Sequence, residues 1–185
     1  LTVPRLADWC SVYLLRPDGS VELVAVAHVE PDKVRWAQEL RRQYPPTLEE
    51  ESGLAKVIKT GEAEFYPDIT PEMVMAATQG DEEALAILNK IGMRSIIIVP
   101  LRSRTRVIGA LTLVWSESNR HYSTPDVVFA EELANRAAIA VDNAMLYQEV
   151  QIAEQQQAEL LAQMESLVAN APIGIAFLDR DLRFI

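Results

Sequence analysis

The stretches SIIIVPL (residues 95–101) and VIGALTLVW (residues 107–115) decide the fold of this chain. Both are apolar at nearly every position and rich in β-branched residues, which favour strands. Between them lies RSRTR (residues 102–106), a basic turn that predicts a hairpin with a solvated tip. Strands without polar alternation are usually covered on both faces, so we expect this hairpin at the centre of a sheet.

The segments before this hairpin predict two more strands and a helical insertion. WCSVYLL (9–15) and residues 21–29 flank the turn RPDGS (16–20), which indicates a second hairpin. Helical patterns follow over 31–44 and 52–60, then a brief strand over 62–67 and two short helices that begin at Thr70-Pro71 and Asp81. We expect this insertion to cover one face of the sheet.

The segment after the central hairpin predicts one long helix from Thr124 to about Ala169. Its first half carries six alanines, which allow close packing against the other sheet face. The fold class is therefore α/β (α+β): a central antiparallel sheet with helices on both faces and a long C-terminal helix. We expect a cavity between the sheet and its helical cover.

Composition excludes several functional classes. With 17 Lys+Arg against 27 Asp+Glu, the net charge is −10, which argues against binding to nucleic acid or to an anionic membrane. One cysteine, Cys10, allows no internal disulfide, and two histidines allow no three-histidine metal site. No apolar run is long enough to span a bilayer.

GLAKVIKTG (53–61), the two central strands and residues 124–147 resemble a GAF domain, with VPL, a short basic turn and VIGALTL as the most specific part. The resemblance implies a GAF domain over residues 1–148 whose first helix is mostly missing. It implies a helical linker and candidate coiled coil over 149–169. NAPIGIAFLD (170–179) resembles the opening of a PAS domain, truncated at residue 185. This order is similar to that of bacterial multidomain sensor histidine kinases or PP2C-type phosphatases, so we expect a piece of a longer protein.

The polar half of the long helix predicts pairing with a second copy. Tyr147, Glu154, Leu161 and Val168 fall at heptad a positions, and Val150, Gln157 and Met164 at d. Polar layers in such a seam lower stability but set register and oligomeric state. A solvated single helix that joins two domains remains the alternative.

Five residues are candidates for the wall of a ligand pocket, and they are Tyr13, His28, Trp36, Met75 and Trp115. Aromatic and sulfur side chains make an adaptable apolar lining for an unidentified small molecule. Ordinary core packing is the alternative, and it is the more common role of such residues.

No catalytic, metal or cofactor site is predicted. Cys10 has no partner cysteine and is expected to be a small buried apolar residue. His28 is a weak candidate for haem ligation and is more often structural at such a position. The cyclic-nucleotide GAF signature is absent, because Asn89-Lys90 is followed by Ile91-Gly92.

These observations predict a non-catalytic sensory or regulatory module of a cytoplasmic two-component system. The parent protein is expected to be an enzyme. A histidine kinase is the first expectation, and a PP2C-type phosphatase is the second. The module would bind a small ligand or form a homodimer through the terminal helix, next to PAS and output domains, without nucleic acid or direct membrane contact. A purely structural dimerisation domain without a ligand is the alternative.

Overall fold

The computed structural model describes residues 2–78, 81–104 and 106–170. The segment predicted to begin a PAS domain lies outside the described residues from position 171 onward, so it stays a prediction. The elements, in chain order, are β1 (Trp9–Leu15), β2 (Val21–Ala27), α1 (Pro31–Gln43), α2 (Gly53–Thr60), β3 (Glu64–Tyr66), α3 (Pro71–Thr78), α4 (Glu82–Ile91), β4 (Ser95–Arg102), β5 (Val107–Trp115) and α5 (Thr124–Asn170).

The strands form one five-stranded antiparallel sheet in the order β2-β1-β5-β4-β3. β5 is central and β4 lies beside it, so neither strand of the fold-determining hairpin is at an edge. Both are buried along most of their length. The predicted sheet and its two covered faces are confirmed.

Most element bounds agree with the sequence prediction, and the second strand is the main exception. β2 ends at Ala27 instead of Val29. The backbone N–H of Glu30 donates to His28 Nδ1 at 2.9 Å, which closes a turn, and Pro31 then begins α1. Proline suits the first helical turn because its missing N–H has no partner there in any case.

One face of the sheet, here called the α2 face, packs against α2. It presents Tyr13, Ile98 and Ala110, which cluster with Val57 and Ile58 of the helix. These five residues are buried, and the helix ends at Gly61 in the left-handed conformation.

A buried carboxylate anchors the start of α2. Glu64 of β3 accepts a hydrogen bond from the backbone N–H of Gly53 and from the Tyr66 hydroxyl at 2.8 Å, and Lys56 Nζ lies 2.8 Å from it. Burial raises the pKa of Glu64, but these donors outweigh it and leave the pKa below its ordinary value. Burial and the neighbouring carboxylate raise the pKa of Tyr66 to about 12. Glu64 therefore stays ionised at neutral pH.

The opposite face, here called the α5 face, presents the alternate residues of the same strands. Ile97 pairs with Leu113 and Ser95 with Trp115, so the register places all four on this side. On α5, Ala130, Ala134 and Ala138 are fully buried at four-residue intervals. Alanines at this spacing form one narrow stripe, along which the helix packs closely.

Contacts divide the chain into two compact units, residues 1–142 and 143–185. α5 is a continuous helix across this division, from Thr124 to Asn170. Between Asn143 and Leu167 every side chain except Met145 is exposed. Among the described residues, no helix combines the length and apolar character that a membrane span requires.

Candidate functional site

Three of the five candidate pocket residues lie on one side of the sheet. Tyr13 belongs to the α2 face, Trp36 lies on α1, and His28 follows β2. Met75, on α3, is 61% exposed. Trp115 lies on the α5 face, because it pairs with Ser95. The structure therefore groups Tyr13, His28 and Trp36 and separates Trp115 from them.

An aromatic cluster joins the sheet to the helical cover. The ring centroid of Trp9 lies 4.4 Å from that of His28 and 6.3 Å from that of Trp36, and Lys90 Nζ lies 4.9 Å from the Trp36 ring. Trp9 is 7% exposed, and its buried Nε1 meets no hydrogen-bond acceptor among the described residues. A buried donor left unpaired costs about 1–3 kcal/mol. The indole N–H of Trp9 is therefore an unpaired buried donor on the α2 face. The sequence analysis did not single out this residue.

The hydroxyl of Tyr13 is already occupied by α1. Tyr13 is 5% exposed, and Arg41 Nε donates to its Oη at 3.1 Å. The guanidinium also lies 5.8 Å from the ring centroid, close enough for a cation–π contact. This contact fills the space beside Tyr13 with a side chain of the protein itself.

An ion network lies beside the aromatic cluster. Lys33 Nζ contacts carboxylate oxygens of Glu117 and Glu30, the latter at 2.9 Å, and His28 Nε2 is 3.4 Å from Glu117. Burial raises the pKa of Glu117, but hydrogen bonds from Lys33 and Ser116 prevail and lower it to about 2. The same bond from Lys33 to Glu117 raises the pKa of the lysine. The network thus joins α1 to the loop after β5.

Three groups of this network approach one another like metal ligands, but their chemistry does not suit a metal. Ligand atoms of His28, Glu30 and Glu117 lie within 4.8 Å of one another. The Glu30 N–H donates to His28 Nδ1, so a neutral imidazole carries its proton on Nε2 and has no lone pair left for an ion. Lys33 already contacts both carboxylates. This arrangement is a hydrogen-bonded ion network, and it gives haem ligation by His28 no support.

A cavity of about 190 Å³ lies on the α5 face, near Trp115. Tyr122 stacks near Trp115 with ring centroids 5.5 Å apart, and Arg120 lies 4.3 Å above the Trp115 ring. The Tyr122 hydroxyl donates to the Leu6 carbonyl at 2.8 Å, and burial raises its pKa. Of the five candidate residues, Trp115 is the one that borders this cavity.

The surroundings of the Cys10 thiol lower its reactivity. Burial raises the pKa of this cysteine above its ordinary value, although a hydrogen bond with Thr2 opposes the shift. A thiol with a raised pKa holds little thiolate, which is the reactive form.

Comparison with known proteins identifies the family. A family model of the GAF domain matches residues 6–141, close to three quarters of the chain. The chain belongs to the GAF domain family. The match ends within α5, before the exposed part of that helix.

Several solved structures share this fold. The GAF-B domain of DevS from Mycobacterium smegmatis has a TM-score of 0.56 and 14% identity, covering 80% of this chain and 90% of that one. GAF3 from Slr1393 of Synechocystis sp. PCC6803, in its photoproduct state, has a TM-score of 0.53 and 22% identity, covering 78% and 88%. A domain of a putative two-component sensor histidine kinase protein from Sinorhizobium meliloti 1021 has a TM-score of 0.52 and 14% identity, covering 77% and 83%.

Proposed function

We propose that this GAF domain is a non-catalytic sensory and regulatory module of a bacterial signal-transduction protein in the cytoplasm. Its parent is a sensor histidine kinase, and two copies pair through α5. The proposal rests on one observation above all, the continuity of α5 from the buried alanine stripe to residues beyond the family match. The fold shared with a domain of a putative two-component sensor histidine kinase is consistent with it.

The exposed part of α5 carries more large apolar side chains than a solvated linker needs. Leu146, Val150, Leu160, Met164 and Leu167 are each 54–72% exposed. Apolar surface in this amount along one helix is typical of a face that packs against another helix. A second copy of the same helix is the partner that the heptad spacing favours.

On the α2 face, the grouping of Tyr13, His28 and Trp36 supports a sensory role. The unpaired Nε1 of Trp9 adds a donor that a ligand carbonyl or an ordered water would satisfy. A ligand there would also meet α1, which contacts both Tyr13 and Trp9. We propose Tyr13, His28 and Trp36 as its contacts, without Met75 and Trp115.

A structural dimerisation domain without a ligand is the second candidate function. The contact between Arg41 and the Tyr13 hydroxyl favours it, because it fills part of the α2-face site with the protein's own side chain. The cation–π contact between Lys90 and Trp36 acts in the same way. Pairing through α5 is common to both functions.

Light scattering on the chain at increasing concentration tests the pairing. We expect a dimer, and we expect the double variant Val150→Glu/Met164→Glu to be monomeric, because two like charges would enter each layer of the seam. The matched control is Ile152→Glu, which adds the same charge to an exposed side chain outside the seam. A strict monomer at high concentration, or dissociation by the control alone, contradicts the proposal.

A thermal-shift screen with small metabolites separates the two functions. A ligand that binds the folded state raises the apparent melting temperature by mass action. If the ligand occupies the α2-face site, Trp36→Ala abolishes the shift and Met75→Ala preserves it. No shift with any metabolite favours the structural function.

A further inference from the structure

The cavity on the α5 face has the size and walls of a site for a single ring. Its volume is about 190 Å³, and its apolar walls come from Leu113, Trp115, Tyr122 and Phe129. An engineered apolar cavity of about 150 Å³ admits benzene, so one six-membered ring fits a space of this volume.

The charged groups at this cavity favour an anion. Arg5 and Arg120 both border it, and neither guanidinium has a carboxylate or hydrogen-bond partner among the described residues. The carboxylate of Asp126 also borders it, but Oδ2 of this group already accepts from the N–H and the hydroxyl of Ser123, at 2.7 and 2.6 Å. His121 is 3.2 Å from Asp68. Two unpaired guanidinium groups therefore dominate the rim.

The position of Arg120 adds specificity. Its guanidinium lies over the Trp115 ring, 4.3 Å from the centroid, and no hydrogen bond among the described residues occupies its N–H groups. Two N–H groups of one guanidinium can donate in parallel to the two oxygens of a carboxylate. A ligand with a ring and a carboxylate would use the aromatic wall and this guanidinium together.

We propose that this cavity binds a small aromatic carboxylate of one ring. The ring packs against Trp115, Tyr122 and Phe129, and the carboxylate pairs with Arg120 and Arg5. This site lies on the opposite side of the sheet from Tyr13 and Trp36, so it extends the proposed function. It also stands independently of pairing through α5.

Calorimetric titration of the chain with benzoate tests the proposal. We expect saturable one-to-one binding, weakened about tenfold or more in Arg120→Gln and in Arg5→Gln, since each removes a charge-assisted pair. Arg104→Gln, in the turn between β4 and β5, removes the same charge away from the cavity and should bind like the parent chain. Benzyl alcohol, the neutral analogue, should bind at least about tenfold more weakly than benzoate.

Three results would overturn the proposal: no saturable binding up to about 10 mM benzoate, equal affinity for benzyl alcohol, or unchanged affinity in both cavity arginine variants. Both arginines are exposed, so their substitution should preserve the fold, which circular dichroism verifies. If one variant unfolds, the other still decides. A monomeric chain that binds benzoate supports this site and refutes the pairing, so the two failures are distinguishable.

Discussion

Glu117 belongs to the ion network beside the aromatic cluster. Its carboxylate contacts Lys33 and His28, and its pKa is about 2 against an ordinary value of 4.5. A folded-state pKa below the unfolded value means that the ionised form stabilises the fold. That contribution is complete above about pH 4.5 and is lost as the pH falls toward 2. Because the side chain is 44% exposed, solvent screening limits it to about 1 kcal/mol.

We therefore expect Glu117→Gln to lower the free energy of unfolding by about 1 kcal/mol at neutral pH. The difference from the parent chain should shrink as the pH falls from 4.5 toward 2, because the parent loses the same charge there. Urea unfolding at a series of pH values measures this. Glu49→Gln, at an exposed carboxylate without an ion pair among the described residues, is the control. A pH-independent difference would contradict the electrostatic origin.

Gly109 permits a close approach of the β5 and β1 backbones. A Cβ at this position would lie 2.0 Å from the carbonyl oxygen of Tyr13 and 3.0 Å from Leu14 Cα. Since the obstructing atoms belong to the backbone of β1, no rotamer change relieves the clash. This explains why glycine stands in the middle of the apolar run VIGALTLVW.

Gly109→Ala should consequently destabilise the protein by at least about 3 kcal/mol, in the range of severe core substitutions. Gly19→Ala is the matched control, since a Cβ there meets nothing within 4 Å and the cost is only that of its positive φ, about 1–2 kcal/mol. Thermal unfolding of both variants measures the difference. Equal destabilisation would show that the clash is relieved by movement of β1.

At the scale of the element, α5 offers two heptad registers for pairing. In the register predicted from the sequence, Glu154 is a core residue. In the second register, Val150, Gln157 and Met164 are a positions instead of d positions. The d positions are then Leu146, Ala153, Leu160 and Leu167. This second register replaces Glu154 by Ala153 and places a β-branched residue at a with leucines at d, a combination that favours parallel dimers. We regard it as the better seam.

The two registers predict different responses to added leucine. In the second register, Ala153→Leu fills a core layer and should tighten the dimer about tenfold or more, since a buried leucine contributes well above 1.4 kcal/mol. Glu154→Leu should tighten it less. Sedimentation equilibrium measures both dissociation constants, and Glu159→Leu, outside both seams, corrects for the lost charge. A larger effect of Glu154→Leu would restore the first register.

Local sequence patterns predict the helices and strands well. To predict which face of the sheet a side chain lies on, one needs to know strand pairings between residues that are distant in sequence. The strand runs, the proline starts and Gly61 marked the bounds of most elements. The sequence prediction places Trp115 and Tyr13 in the wall of one pocket. The register Tyr13↔Ala110 shows that even-numbered residues of β5 share the side of Tyr13, which excludes Trp115. No local signal carries that information.

The contacts of the candidate sites were beyond sequence reasoning for the same reason. Trp9 and Trp36, or Lys33 and Glu117, meet only after β1, β2 and α1 have packed. The helical spacing of Lys33, Trp36 and Arg41 is compatible with their lying near one side of α1, but it does not name their partners. Their partners depend on sheet order, which a single sequence does not fix.

At the scale of the whole molecule, the net charge of −10 bears on assembly. Between Asp142 and Val168 there are five acids and no Lys or Arg, so paired α5 helices would repel each other electrostatically. We expect the dimer to tighten when NaCl rises above about 0.1 M, where the screening length falls below about 10 Å. Sedimentation at several salt concentrations measures it. Weakening with salt would indicate attractive ion pairs instead.

The sheet carries a different candidate site on each face. The α2 face offers aromatic rings and an unpaired indole donor, and the α5 face offers a ring-sized cavity with two guanidinium groups. Ligands at the two places would contact different helices, α1 in one case and the first turns of α5 in the other. Two inputs of different chemistry are therefore compatible with one domain.

Ala130, Ala134 and Ala138 have a mechanical consequence, because they repeat with nearly the pitch of the helix itself. A slip of the helix by four residues, about 6 Å along its axis with a rotation of about 40°, would place each methyl group where its neighbour had been. Large side chains that fit between residues of the sheet would instead hold a helix at one axial position. Because this stripe consists of methyl groups, it opposes such a slip less than large interlocking side chains would.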